Sequence, residues 1–327
     1  MSLRVIAALL AFLVSSTLAF AAPAETILGE WTDTARAGRV VPYKIYIAPA
    51  AQPQPVVVFS HGLGGSRDGA EYLLRFIAEN GYVAVAVQHP GSDTPAVFGA
   101  AMENGDFDRA KLEDAIQKAI TPAVAVDRFR DIPFAVDQLD AMNKSDATLR
   151  GRLNMSRIGM SGHSYGALTT LILSGQTTGG GRMTFSFADP RITASIAYSP
   201  SKPRQGDPTQ AFASIHIPTF HMTGTDDMNP LDASEPASNR QFPYRNITGA
   251  DKYLIVFNGG DHMIFSGRRI AEQDRPNDDM FHALIQKASL AYWDAYLKEN
   301  AQAKAYLTQG GFAKDLGANG AFEFQLR

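Results

Sequence analysis

Apolar and polar positions along this chain follow two alternating rhythms: short β-branched runs, and stretches with apolar residues three or four apart. Val40–Ile47 (VVPYKIYI) and Val56–Phe59 (VVVF) read as strands. The second is apolar at every position, as expected of a strand covered on both faces. Between Gly69 and Glu79, Leu73, Leu74, Phe76 and Ile77 have helical spacing, and Gly81 closes the helix. Val83–Val87 is the next strand. Pro122 to Met142 places Phe129, Ile132, Val136 and Leu139 along one stripe, a helix that Pro133 is expected to kink. Arg157 to Met160 is a strand that runs into a Gly-rich turn and then a helix over Leu168–Leu173. Ala194–Tyr198, Thr219–Met222 and Tyr253–Phe257 supply three later strands. A closing helix starts near Asn277, Asp278 and Asp279 and carries Phe281, Leu284, Ile285, Ala288 and Tyr292 on one face. Strands that alternate with helices predict an α/β protein, a mostly parallel central sheet with helices on both faces.

Two stretches break the rhythm. Residues 92–120 and 228–250 are rich in small, polar and Pro residues, and long connections of this kind often wall a binding site. The first 21 residues differ again: Arg4 is their only charge, Val5–Val14 is unbroken apolar sequence, and Ala19, Phe20, Ala21 form a small-x-small cleavage site. They read as a signal peptide, leaving one domain over 22–327 that is secreted or periplasmic and has no membrane span once the signal is cut.

Composition closes several routes. The chain has no Cys, which removes disulfides, thiolate metal sites and a Cys nucleophile. Its 30 basic and 33 acidic residues give a net charge of -3, so no polybasic surface suggests nucleic acid as a partner. Nothing in the pattern indicates an oligomeric state.

The chemistry centres on Gly162, His163, Ser164, Tyr165 and Gly166, a GxSxG motif between a strand and a helix. In such a turn the central Ser is held in a strained backbone with its hydroxyl clear of the sheet, and flanking glycines avoid collision with neighbouring elements. A Ser hydroxyl needs a base to accept its proton. Of the seven His, His262 follows the strand Tyr253–Phe257 and stands after Ser164, at a strand's C-terminal end where α/β catalysts gather. The acid belongs between them, after Thr219–Met222, where Asp226 and Asp227 compete. Neighbouring side chains in extended chain point opposite ways, so only one of the two faces His262. Developing oxyanion charge needs preset backbone donors. The HGLGG segment (His61–Gly65) after the strand Val56–Phe59 supplies the Leu63 N–H, and the residue after the nucleophile supplies the Tyr165 N–H. His89, at the end of the strand Val83–Val87, is a candidate for the substrate wall.

Five segments together resemble a known group: HGLGG at 61–65, VQHPGS at 87–92, GHSYGA at 162–167, MTGTDD at 222–227 and GGDHMIFSG at 259–267. They are similar to those of secreted bacterial α/β-hydrolases related to platelet-activating-factor acetylhydrolases and predicted dienelactone hydrolases. The resemblance spans most of the chain after residue 21 and implies the α/β-hydrolase fold. It also implies a triad of Ser164, Asp227 and His262, because that group's acid falls three residues after the Gly matching Gly224. True dienelactone hydrolases use a Cys nucleophile, so their substrate does not carry over. The implied reaction is hydrolysis of a small-molecule or lipid-like ester through an acyl-enzyme on Ser164, with no cofactor. An acyltransferase with the same triad is the alternative enzyme, separable by product analysis with added alcohol. A non-catalytic binding member of the fold is disfavoured by the presence of every catalytic element.

Overall fold

The computed structural model describes residues 22–99, 101–102, 106–180, 183–204, 207–267 and 275–327, and the stretch read as a signal peptide lies outside the described residues. In chain order the elements are β1 (Glu25–Asp33), β2 (Arg39–Ile47), β3 (Gln54–Ser60), α1 (Glu71–Glu79), β4 (Val83–Val87), α2 (Thr94–Phe98), α3 (Arg109–Ala119), α4 (Pro122–Ser145), β5 (Leu153–His163) and α5 (Tyr165–Leu173). They continue with β6 (Thr178–Gly180), β7 (Met183–Phe185), β8 (Ile192–Tyr198), β9 (Thr219–Asp226), α6 (Phe242–Asn246), β10 (Lys252–Asp261), α7 (Asp278–Leu297), α8 (Ala301–Thr308), α9 (Gly311–Leu316) and β11 (Gly320–Gln325). Nine strands form one sheet in the order β1-β2-β4-β3-β5-β8-β9-β10-β11. The run from β4 to β10 is parallel; β1 and β2 at one edge and β11 at the other are antiparallel.

Alternation along β3 explains why the sheet is covered twice. Val57 and Phe59 join a core with Leu73, Ile77, Ile285 and Trp293 from α1 and α7. Val56 and Val58 join the opposite core with Ile132, Val136 and Leu139 from α4. All four strand residues are essentially inaccessible, as the all-apolar run requires.

The structure departs from the sequence expectations mostly at the edges. β1 is buried only at Trp31 and Asp33, and β11 has no fully buried residue, so neither carries an apolar run. The segment 92–120 holds α2 and α3, and α7 is followed by two further helices and β11. α4 passes through Pro133 as one continuous helix; the proline costs it one N–H donor without ending it.

Candidate active site

The C-terminal ends of adjacent strands gather the predicted residues. β5 ends at His163, and Ser164 then takes φ 57° and ψ −112°, with α5 beginning at Tyr165. This is strained for a residue with a side chain. It is held by a hydrogen bond from the Ser164 N–H to the Tyr198 carbonyl at 2.9 Å. A Cβ at Gly166 would strike the Ser60 carbonyl, and one at Gly162 would strike the Gly166 carbonyl. Both glycines are therefore dictated by the close approach of β3, β5 and α5.

His262 lies just past β10, with Nε2 2.9 Å from Ser164 Oγ and Nδ1 2.8 Å from Asp227 Oδ1. With its proton on Nδ1 and donated to Asp227, the ring presents its Nε2 lone pair to the Ser164 hydroxyl. Asp227 is wholly buried, whereas Asp226 is exposed and accepts a hydrogen bond from the Thr225 hydroxyl. The opposed directions expected of the adjacent Asp residues are thus present, and Asp227 is the one that faces the imidazole. Burial alone would raise the Asp227 pKa, but the hydrogen bond from His262, the Arg240 guanidinium and the Thr223 hydroxyl outweigh it and hold the carboxyl below its ordinary range. Thr223 donates to Oδ2 at 2.8 Å, and Arg240 Nε lies 3.4 Å from Oδ1.

A fourth side chain completes this cluster. Ser199 follows β8 with φ 55°; its hydroxyl donates to Asp227 Oδ1 at 2.8 Å and lies 2.8 Å from His262 Nδ1. Sequence reasoning missed it, because a Ser after a strand carries no motif. Arg240 was missed for the same reason: it arrives from the 228–250 connection. His163 is turned away from Ser164, with its Nε2 2.9 Å from the His262 carbonyl oxygen. Burial, then the charge of neighbouring His262, push its pKa down to about 3.

The 61–65 loop follows β3 beside the elbow. Gly64 adopts φ +67°, where a Cβ would come within 2.6 Å of the Phe98 ring, and its N–H donates to the Ser92 carbonyl. Neither the Leu63 nor the Tyr165 N–H has an acceptor among the described residues. For Tyr165 this follows from its place as the first residue of α5, whose N–H has no partner within the helix. Leu63, Ser164 and Tyr165 line one cavity of about 280 Å³. A second, of about 160 Å³, meets it at Leu63 and Ser164 and is bordered by His262 and Met263.

His89 requires a correction. It does not line either cavity that meets at Ser164. It is wholly buried beneath the 61–65 loop, with Nε2 2.9 Å from Ser60 Oγ and Nδ1 3.0 Å from Asp131 Oδ2. Burial, reinforced by the Arg128 charge, lowers its pKa to about 4. The strand end that placed it near the site also points its ring into the protein, where Asp131 from α4 receives it. Arg128, one turn earlier on α4, is buried as well: it donates to Ser92 Oγ, Ser60 Oγ and the His61 carbonyl, and its guanidinium lies 4.4 Å from the Tyr165 ring centre. The 92–120 and 228–250 connections do reach the larger cavity, through Ile120 and through Asn229, Leu231 and Arg240.

Comparison with known proteins agrees with this architecture. The family profile of platelet-activating factor acetylhydrolase, isoform II, matches residues 40–120. A platelet-activating factor acetylhydrolase from Cavia porcellus is 23% identical over 268 residues, 74% of this chain and 57% of that protein, so the chain spans little more than half the relative's length. Among solved structures, a ferulic acid esterase from Streptomyces cinnamoneus superposes with a TM-score of 0.61 at 19% identity, covering 87% of this chain and 93% of the other. With its mostly parallel sheet and helices on both faces, the chain has the α/β-hydrolase fold.

Proposed function

We propose that the protein is a serine hydrolase of carboxylic esters, working through an acyl-enzyme on Ser164. The observation that carries this reading is the continuous chain Ser164 Oγ, His262 Nε2, His262 Nδ1 and Asp227 Oδ1, with links of 2.9 and 2.8 Å. His262 takes the Ser164 proton as the hydroxyl attacks the ester carbonyl, and Asp227 holds the ring and stabilises its cation. The Leu63 and Tyr165 amides receive the oxyanion. His262 then protonates the departing alcohol, and water repeats the sequence to release the acid. Similarity to an acetylhydrolase and an esterase supports the reaction class. The apolar run before Ala22 and the small-x-small residues Ala19, Phe20, Ala21 support export to the periplasm or beyond.

A fluorophosphonate probe should label Ser164 and no other residue, and Ser164→Ala should abolish ester hydrolysis while melting as wild type does. Labelling elsewhere, or undiminished turnover by the variant, refutes the reading.

A further inference from the structure

The two cavities that meet at Ser164 are chemically unequal, and their difference bears on which ester is cleaved. This argument rests on the serine-esterase reading above. The leaving alcohol takes its proton from His262 Nε2, so its oxygen must depart on the His262 side of the tetrahedral centre. His262 borders only the smaller of the two cavities, of about 160 Å³. The acyl group is left with the larger one, of about 280 Å³, which at ~30 Å³ per water-sized unit accommodates roughly nine non-hydrogen atoms.

That larger cavity has an apolar body, with Leu63, Phe129, Leu168 and Leu231 among its walls, and a cationic edge. Lys202, Arg204 and Arg240 all line it, and among the described residues no Asp or Glu does, in a chain where acids outnumber bases. Arg240 is committed to Asp227 and the neighbouring Ser201 hydroxyl. Lys202 and Arg204 are exposed, and among the described residues neither has a carboxylate within ion-pair distance or a hydrogen-bond acceptor. Lys202 rests over the Phe242 ring at 5.3 Å. Arg204 stands close enough to Tyr165 to act on its phenol, although Asp232 is also within its electrostatic reach.

We propose that the acyl group occupies the larger cavity and that its far end is anionic: the substrates are esters of medium-length acids bearing a second, ionised acidic group, joined to a small alcohol. The apolar walls take the chain, and Lys202 and Arg204 take the terminal charge. Two such exposed pairings, at the upper end of what surface ion pairs contribute, are worth about tenfold in rate at low ionic strength.

The test uses two ethyl alkylfluorophosphonates of equal chain length, one ending in methyl and one in carboxylate, since the P–C chain mimics the acyl group. Second-order inactivation of the full-length protein should favour the carboxylate probe by about tenfold. The Lys202→Glu, Arg204→Glu double variant should reverse that preference, and 1 M salt should erase it. Equal inactivation by both probes, with Ser164 labelled, overturns the inference and leaves the esterase reading intact. A carboxylate preference that survives the double variant also overturns it, because the cations would not be its source. Failure of both probes to label Ser164 brings down the esterase reading and this inference together. A matching pair of methyl esters, monomethyl suberate and methyl octanoate, should give the same order in kcat/KM.

Discussion

Arg128→Met removes a guanidinium that no substrate touches, yet the structure assigns it a large effect. The guanidinium is wholly buried and its hydrogen bonds run to Ser92 Oγ at 2.8 Å, Ser60 Oγ at 3.0 Å, the His61 carbonyl at 2.5 Å and Thr169 Oγ1 at 3.4 Å. Burial depresses its pKa to about 10, against the opposing pull of Tyr165, Asp131 and Asp93. Methionine fills similar space but leaves the His61 carbonyl and three hydroxyls without their donor, at ~1–3 kcal/mol for each group that finds no substitute. The lost contact with the Tyr165 ring adds about 2 kcal/mol in so dry a place. Relief from burying a charge offsets part of this, so a net loss of about 3 kcal/mol is expected, or roughly 5 °C in Tm for a chain of this size. Activity should fall further than stability explains. His61 anchors the loop that carries Leu63, and Tyr165 supplies the other proposed oxyanion donor, so one misaligned donor should cost about 10²-fold in kcat with little change in KM. Arg128→Lys keeps the charge and should recover part of the loss. Thermal melts and steady-state kinetics on a soluble ester decide the matter. A variant that melts within 2 °C of wild type and keeps kcat within threefold would refute the reasoning.

The acid can be tested by charge removal at each of the adjacent carboxylates. Asp227→Asn should lose about 10³–10⁴-fold in kcat, while exposed Asp226→Asn should stay within a fewfold; the reverse order would move the acid to Asp226. The buried imidazoles predict acid sensitivity of the fold. Burial is the leading cause that lowers His89 and His221 to about 4 and His163 to about 3, below the ~6.5 of an unfolded chain. The unfolded state therefore binds protons first, so stability is full above about pH 6.5 and is lost as pH falls toward 4. At pH 5 each imidazole costs about 2 kcal/mol. Urea midpoints should hold from pH 8 to about pH 7 and fall steadily from there to pH 5, and a profile flat down to pH 5 would contradict neutral burial of these rings.

What could be read from sequence divides along a physical line. The parallel strands were legible because burial on both faces forces apolar residues at every position, as in Val56–Phe59 and Val83–Val87. The edge strands β1 and β11 were not, since one face or more meets solvent and residues such as Glu25, Glu30 and Glu323 interrupt the pattern. Within the site, Ser164 was legible because its turn demands glycine on both sides, and His262 and the Asp pair because strand order brings them after it. Ser199, Arg240 and Arg128 make their contacts through side chains from separate elements, at no fixed spacing from anything. His89 shows the converse failure: its strand-end position was read correctly, but a strand end does not say whether a ring turns outward to ligand or inward to Asp131.

The same strand ends explain how the site can hold strain. Ser164 and Ser199 both have positive φ, at 57° and 55°, conformations that cost on the order of 1–3 kcal/mol each in a residue with a side chain. Each is pinned to the next strand: the Ser164 N–H donates to Tyr198 at the end of β8, and the Ser199 N–H to Met222 within β9. β9 in turn delivers Asp227, which receives the Ser199 hydroxyl, and β10 pairs with β9 before reaching His262. A shift of any one strand would therefore break a backbone bond that fixes its neighbour's proposed catalytic residue. Sheet stability is thus coupled to the spacing of Ser164, His262 and Asp227. Substitutions that loosen β8 or β9, even far from the cavity, should reduce turnover in step with their destabilisation.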